Sequence, residues 1–260
     1  MEILLQFVLR LAFGLAVAMA LTPPAQVTAG FYRVHAYVLM GLHVLAALVA
    51  SSLESYTATA PIVGATLSYV ASIVWLNEKR RAGIVLLLLI GVAAFVGIAW
   101  GLPLFPASMS TGSELAGPST ARLVLEWIAP VAGGLVLGTT ITAMFLGHWY
   151  LNTPTMELSP LRRLIILMTV SLLLRMMVSG TGLALLLTFD AWPEKMFLSL
   201  LLLRCFSGIL LPLVLAWMTW KTLDVPNTQS ATGILYVGVV TTFTGELTAQ
   251  LLSSQLAFPV

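Results

Sequence analysis

Glu246, Arg204 and Arg175 are the residues whose types and placement ask for a chemical explanation, because each is ionisable and each falls inside a long apolar run. A charged side chain at the centre of a bilayer costs about 3 kcal/mol or more unless it is paired or hydrated. Such groups therefore face bundle interiors or cavities, and they often mark ligand or proton pathways. Arginine donates to carbonyl and carboxylate oxygens. Glutamate can carry a proton, with burial and a neighbouring guanidinium acting on its proton affinity in opposite senses. Arg10, Glu126 and the histidines His35, His43 and His148 complete the ionisable set within the apolar runs.

The elements that must position these groups are membrane helices. Of 260 residues, 59% are hydrophobic and 8% charged, with a mean hydropathy of +1.01, whereas roughly a quarter of a soluble domain is charged. Runs of spanning length fall at 3–22, 33–53, 57–77, 82–104, 122–151, 162–189, 196–220 and 229–255. The expectation is an all-α, multi-pass bundle of about eight transmembrane helices, forming one integral-membrane domain over residues 1–260. Eight helices of about 22 residues would use roughly two-thirds of the chain. No loop is then long enough for a soluble domain, which excludes a tethered soluble enzyme, a nucleic-acid binder and a coiled-coil scaffold. The single cysteine, Cys205, excludes an internal disulfide and a thiolate-held metal site built from this chain alone. Met1 and Glu2 lack the basic start of a secretory signal, so the first run reads as a retained helix.

Basic residues of short loops stay on the cytoplasmic side. Arg33, Lys79, Arg80, Arg81, Arg162, Arg163 and Lys221 share one side, with Arg122 and Lys195 on the other. Both termini are therefore expected outside the inner (cytoplasmic) membrane, and Phe105 to Thr120 forms the longest external connection. Trp75, Trp100, Trp127, Trp149, Trp192, Trp217 and Trp220 fall near run ends, where amphipathic rings favour the headgroup level. Gly133, Gly134, Gly138, Gly180 and Gly182 suggest close helix approach.

Depth follows from the rise of 1.5 Å per residue. Arg204 and Glu246 each come to lie about 12 Å from the outer end of their helices, so the two can pair. Arg10 falls at a similar outer depth, Arg175 near the midplane and Glu126 close to the rim. Arg10 and Glu126 are expected to snorkel to the interface. The asymmetry points to a polar cavity opening outward, with His43 as its histidine. His35 and His148 lie towards the cytoplasmic face among Phe31, Tyr32, Trp149 and Tyr150. That setting reads as an interfacial belt, so haem b is not expected.

An arginine early in the penultimate run, in Arg204-Cys205-Phe206, and Gly245-Glu246-Leu247 late in the last one resemble the C-terminal end of the dimethyl sulfoxide reductase membrane anchors. These anchors belong to the wider polysulfide reductase and NrfD-like family. The likeness covers about 55 residues. It implies a haem-free, quinone-handling membrane subunit that holds an iron–sulfur protein and a molybdopterin-type catalytic subunit. Arg204 and Glu246 carry over as site residues, and His43 and Glu54 are the candidates for the family's early-helix positions.

The leading expectation is a membrane subunit of a multi-subunit redox complex, not catalytic alone. It would exchange electrons and protons with a quinone, menaquinone or ubiquinone, in an outer-half pocket. Glu246 would carry protons, while Arg204, Arg175 and His43 would bind the head group. Its partners would be the bilayer and other complex subunits, an iron–sulfur protein among them, and no nucleic acid. A secondary transporter or proton-coupled channel built on the same residues is the first alternative, and a non-catalytic structural subunit is the second. No serine–histidine, metal or paired-carboxylate constellation favours an intramembrane hydrolase.

Overall fold

The computed structural model describes the chain except residues 55, 103–118, 154, 189–194, 226, 257 and 260, with the side chains of 119 and 195–197 also left aside. The expected connection Phe105 to Thr120 and Trp192 thus lie almost wholly outside the described residues. Among those described, every regular element is helical: α1 (Glu2–Leu21), α2 (Ala29–Ser51), α3 (Thr59–Leu76), α4 (Arg80–Trp100), α5 (Ser119–Asn152), α6 (Ser159–Thr188), α7 (Lys195–Cys205), α8 (Leu211–Thr222) and α9 (Thr228–Ser253). A π-helical turn, Phe206–Leu210, joins α7 to α8 within one continuous rod. Pro212, at the start of α8, lacks the N–H that would bond back to the carbonyl of Gly208, which favours the wider turn just upstream.

Seven helices among the described residues are long and apolar enough to cross a membrane, the α7–α8 rod counting as one. The 26-residue α9 matches them in length but carries Thr241, Thr242, Thr244, Glu246, Thr248 and Gln250. Its threonine hydroxyls donate to carbonyls one turn back, as Thr242 does to Gly238 at 2.9 Å and Thr248 to Thr244 at 2.8 Å. These hydroxyls are thereby satisfied inside the helix itself.

α1 and α5 form the centre of the bundle. α1 packs on α5 and α4, α5 on α6 and α9, α2 on α3, and α8 on α9. A Cβ on Gly14 would run into the backbone of Gly134, and one on Gly138 into the backbone of Gly14. This is the close approach that small residues permit between membrane helices. Gly180 contributes nothing of the kind, because a Cβ there would meet open space. Exposed apolar side chains such as Leu48, Ile62, Val92, Met177, Trp217 and Val240 form the outer belt.

The two ends of the bundle differ. At the end carrying the basic loops, Trp149 Nε1 donates to Thr28 Oγ1 at 2.9 Å, and Arg162 donates to the carbonyl of Leu223 at 3.0 Å. Beneath them Tyr32 stacks on Trp75 at 4.1 Å and donates to the carbonyl of Thr22. Towards the opposite end, the terminal face, the ends of α4 and α9, the first part of α5 and the middle of α1 at Arg10 gather around a hollow.

Candidate functional site

α6, the α7–α8 rod and α9 each bring one ionised side chain to a common point. Arg175 grips Glu246 side-on, with Nε 2.9 Å from Oε1 and Nη2 3.3 Å from Oε2. Arg204 Nη2 lies 3.1 Å from the same Oε1 and 3.3 Å from Ser179 Oγ. All three are sealed from solvent, at 1%, 1% and 0% exposure for Arg175, Arg204 and Glu246. Arg10, from α1, stands close enough to interact electrostatically with both Glu246 and Arg175. One carboxylate thus answers three guanidinium groups.

The backbone is shaped around this cluster. A Cβ on Gly133 would press on Glu246 Oε2, so α5 leaves the space that the carboxylate occupies. A Cβ on Gly245 would strike Gly208, and one on Gly208 would strike the Arg204 guanidinium. The π-helical turn and α9 therefore touch backbone to backbone, one residue from Glu246 and four from Arg204. A π turn commonly marks a functional site.

A hollow of about 220 Å³ reaches from the terminal face towards the cluster, lined by Arg10, Arg122, Glu126, Pro130, Arg175 and Ser253 with Leu102, Ala129 and Leu256 as apolar walls. Arg122 pairs with Glu126 one helical turn on, Nε to Oε1 at 2.8 Å. Pro130, inside α5, has no N–H to bond to the carbonyl of Glu126, which loosens the helix beside the hollow. Several buried donors lack any hydrogen-bond partner: Arg10 Nε, Arg175 Nη1, and Arg204 Nε and Nη1, with both amide atoms of Gln250 one turn beyond Glu246. Buried polar atoms are rarely left so, and two of these, Arg10 Nε and Arg175 Nη1, belong to residues that line the hollow.

The sequence-derived candidates divide into two groups. Arg204 and Glu246 meet, as their equal depth suggested, but Arg175 holds Glu246 by two nitrogens and is the closer partner. The hollow is lined by Arg175 and Arg10, with Arg204 and Glu246 behind them. Arg10 does not snorkel to the interface. The packing of Gly14 against Gly134 and Gly138 turns α1 so that Arg10 faces the interior. His43 does not join the cluster: its Nδ1 lies 2.8 Å from the carbonyl of Leu39 and its ring fills the space over Gly64 of α3. Nδ1 donates to that carbonyl, and Nε2 is buried without a hydrogen-bond partner. His35 bonds the carbonyl of Phe31 at 2.6 Å and sits among the rings of Phe31, Phe145 and Trp149. His148 lies beside Tyr236, 3.4 Å from its hydroxyl. Glu54 is exposed beyond α2. No group of three or more His, Cys, Asp or Glu side chains among the described residues has the spacing of a metal site.

Two contributors escaped the sequence reading. Gly133 read as a packing glycine, and only the position of Glu246 reveals its second role. Gln250 carries the helical signal i, i+4 from Glu246 that places both on one face of α9.

No protein-family model, no curated protein and no solved structure matches the chain.

Proposed function

We propose that the chain is the membrane subunit of a redox complex, exchanging electrons and protons with a quinone whose head group enters the hollow at the terminal face. By the positive-inside rule that face is the outer one, with eight spans and both termini outside. The observation that carries this reading is the pair of buried, unpartnered N–H groups of Arg10 and Arg175 at the hollow. Guanidinium donors in an apolar-walled slot suit carbonyl and hydroxyl oxygens, which accept hydrogen bonds without needing a metal. The meeting of Arg204 with Glu246, the two positions of the resemblance, supports it further. Electrons would pass to or from a partner subunit. In this role Arg175 and Arg10 orient the head group, Arg204 fixes the Glu246 carboxylate, and Glu246 takes or releases the proton.

The test is Glu246→Gln in the intact complex. Quinol-linked turnover is expected to fall by about a hundredfold, the usual scale for a lost acid–base group, while the subunit inventory after gentle purification stays complete. Normal turnover in a complete complex would remove Glu246 from the mechanism. Solute or proton flux through liposomes holding the purified chain alone would replace this reading with the transporter.

A further inference from the structure

The charge of the hollow points to a ligand that the redox reading does not require. Its lining holds three guanidinium groups, Arg10, Arg122 and Arg175, against one carboxylate, Glu126. Glu126 is already paired with Arg122 at 2.8 Å. The next acidic group inward, Glu246, is shared by Arg175 and Arg204. Among the described residues, four guanidinium groups therefore face two carboxylates, a surplus of two positive side-chain charges in and behind one hollow. Apolar walls at Leu102, Ala129 and Leu256 lower the local dielectric and focus that potential on the opening.

We propose that the hollow binds a small oxoanion or carboxylate entering from the terminal face, held by Arg10 and Arg175. Two observations set the class of ligand. The unpartnered Arg175 Nη1 belongs to a side chain that is 1% exposed and lines the hollow, and the unpartnered Arg10 Nε lies in the same lining. Planar guanidinium forks match the spaced oxygens of phosphate or carboxylate better than a spherical halide, and the Ser253 hydroxyl offers a further donor. A hollow of about 220 Å³ accommodates inorganic phosphate, a short dicarboxylate or the phosphate of a lipid headgroup. The inference stands apart from the quinone reading, since it concerns the isolated chain without any redox partner. If both hold, anion and head group compete for Arg175.

The experiment uses the full purified chain in a neutral detergent. Its unfolding midpoint is followed against sodium phosphate, against sodium chloride at matched ionic strength, and against mixed micelles containing phosphatidylglycerol. A saturating rise with phosphate over chloride, weakened at least tenfold in apparent affinity by Arg10→Gln, is expected. A rise with phosphatidylglycerol alone, equally sensitive to Arg10→Gln, assigns the oxoanion to a lipid headgroup. Equal behaviour in all three media, or a rise that Arg10→Gln leaves untouched, overturns the proposal. A second measurement does not depend on the Arg10 variant folding. A thiol placed by Ser253→Cys in a Cys205→Ser background should react about tenfold faster or more with a sulfonate-bearing methanethiosulfonate than with its trimethylammonium analogue, as a focused positive potential requires. Equal rates, or a faster cationic reagent, would also overturn it.

Discussion

Arg175 holds Glu246 by two nitrogens, Nε at 2.9 Å and Nη2 at 3.3 Å, across the interface of α6 and α9. Arg204 shares the carboxylate through one nitrogen. A carboxylate placed between two sealed guanidinium groups ties three helices to one point. Removing it leaves buried guanidinium charges without their counter-ion, whereas removing one arginine leaves the other in place.

Replacement of Glu246 should therefore cost more than replacement of either arginine. Glu246→Met is expected to destabilise the bundle by about 3–5 kcal/mol, the scale for breaking a buried pair from one side. Arg175→Met should cost less. The double variant Arg175→Met/Glu246→Met should fall short of the sum of its singles by about 1–3 kcal/mol, as contacting groups do. Reversible unfolding in mixed micelles measures all four states. Strict additivity would show that the pair contributes no coupling.

Gly133 and Gly180 make a matched test of space. A Cβ at Gly133 presses on Glu246 Oε2 and comes within 3.1 Å of its Cδ, while one at Gly180 meets nothing. Gly133→Ala should cost about 1–3 kcal/mol by overpacking. Gly180→Ala should be neutral or stabilising by up to about 1 kcal/mol through helix propensity. The same unfolding assay reads both, and equal effects would contradict the packing described here.

The contrast shows where the sequence was legible. Helix spans follow from apolar run length, and each expected run lies within a few residues of an observed helix because a bilayer fixes that length. Depth along a helix was also legible, which is why Arg204 and Glu246 could be paired from their distance to the outer end. Facing was not. Arg175 and Arg10 needed the rotation of α6 and α1 about their axes, and these helices are apolar almost all round, so amphipathicity gives no bearing on direction. Contacts between α1 and α5 set that rotation through Gly14, Gly134 and Gly138. His43 failed to reach the cluster for the same reason: its depth was right for a cavity residue, but α2 presents it to Gly64 of α3.

At the basic end, Tyr32 is sealed, stacked on Trp75 and bonded through its hydroxyl to the carbonyl of Thr22 at 2.8 Å. Tyr32→Phe keeps the stack and loses the bond, which should cost about 0.5–1.5 kcal/mol. Tyr32→Ala loses both and should cost about 3–5 kcal/mol. Neither should alter anion binding at the far end of the bundle, so both serve as controls for variants that merely loosen the protein.

Orientation decides which compartment supplies the hollow. Arg33, Lys79, Arg80, Arg81, Arg162, Arg163 and Lys221 mark the end opposite the hollow, and the proposed orientation, argued from retention of short basic loops, assigns that end to the cytoplasm. Alkaline phosphatase fused after residue 260 should therefore be active, and the same enzyme fused after residue 153, in the basic connection between α5 and α6, should be inactive. Replacing Lys79, Arg80 and Arg81 together by Gln should blur this difference, because they are the densest basic group on their side. The reverse pattern in the unmodified chain would turn the hollow to the cytoplasm. Its anion would then come from the cytoplasmic pool, and a proton exchanged through Glu246 would leave on that side, with the geometry of Arg10, Arg175 and Arg204 unchanged.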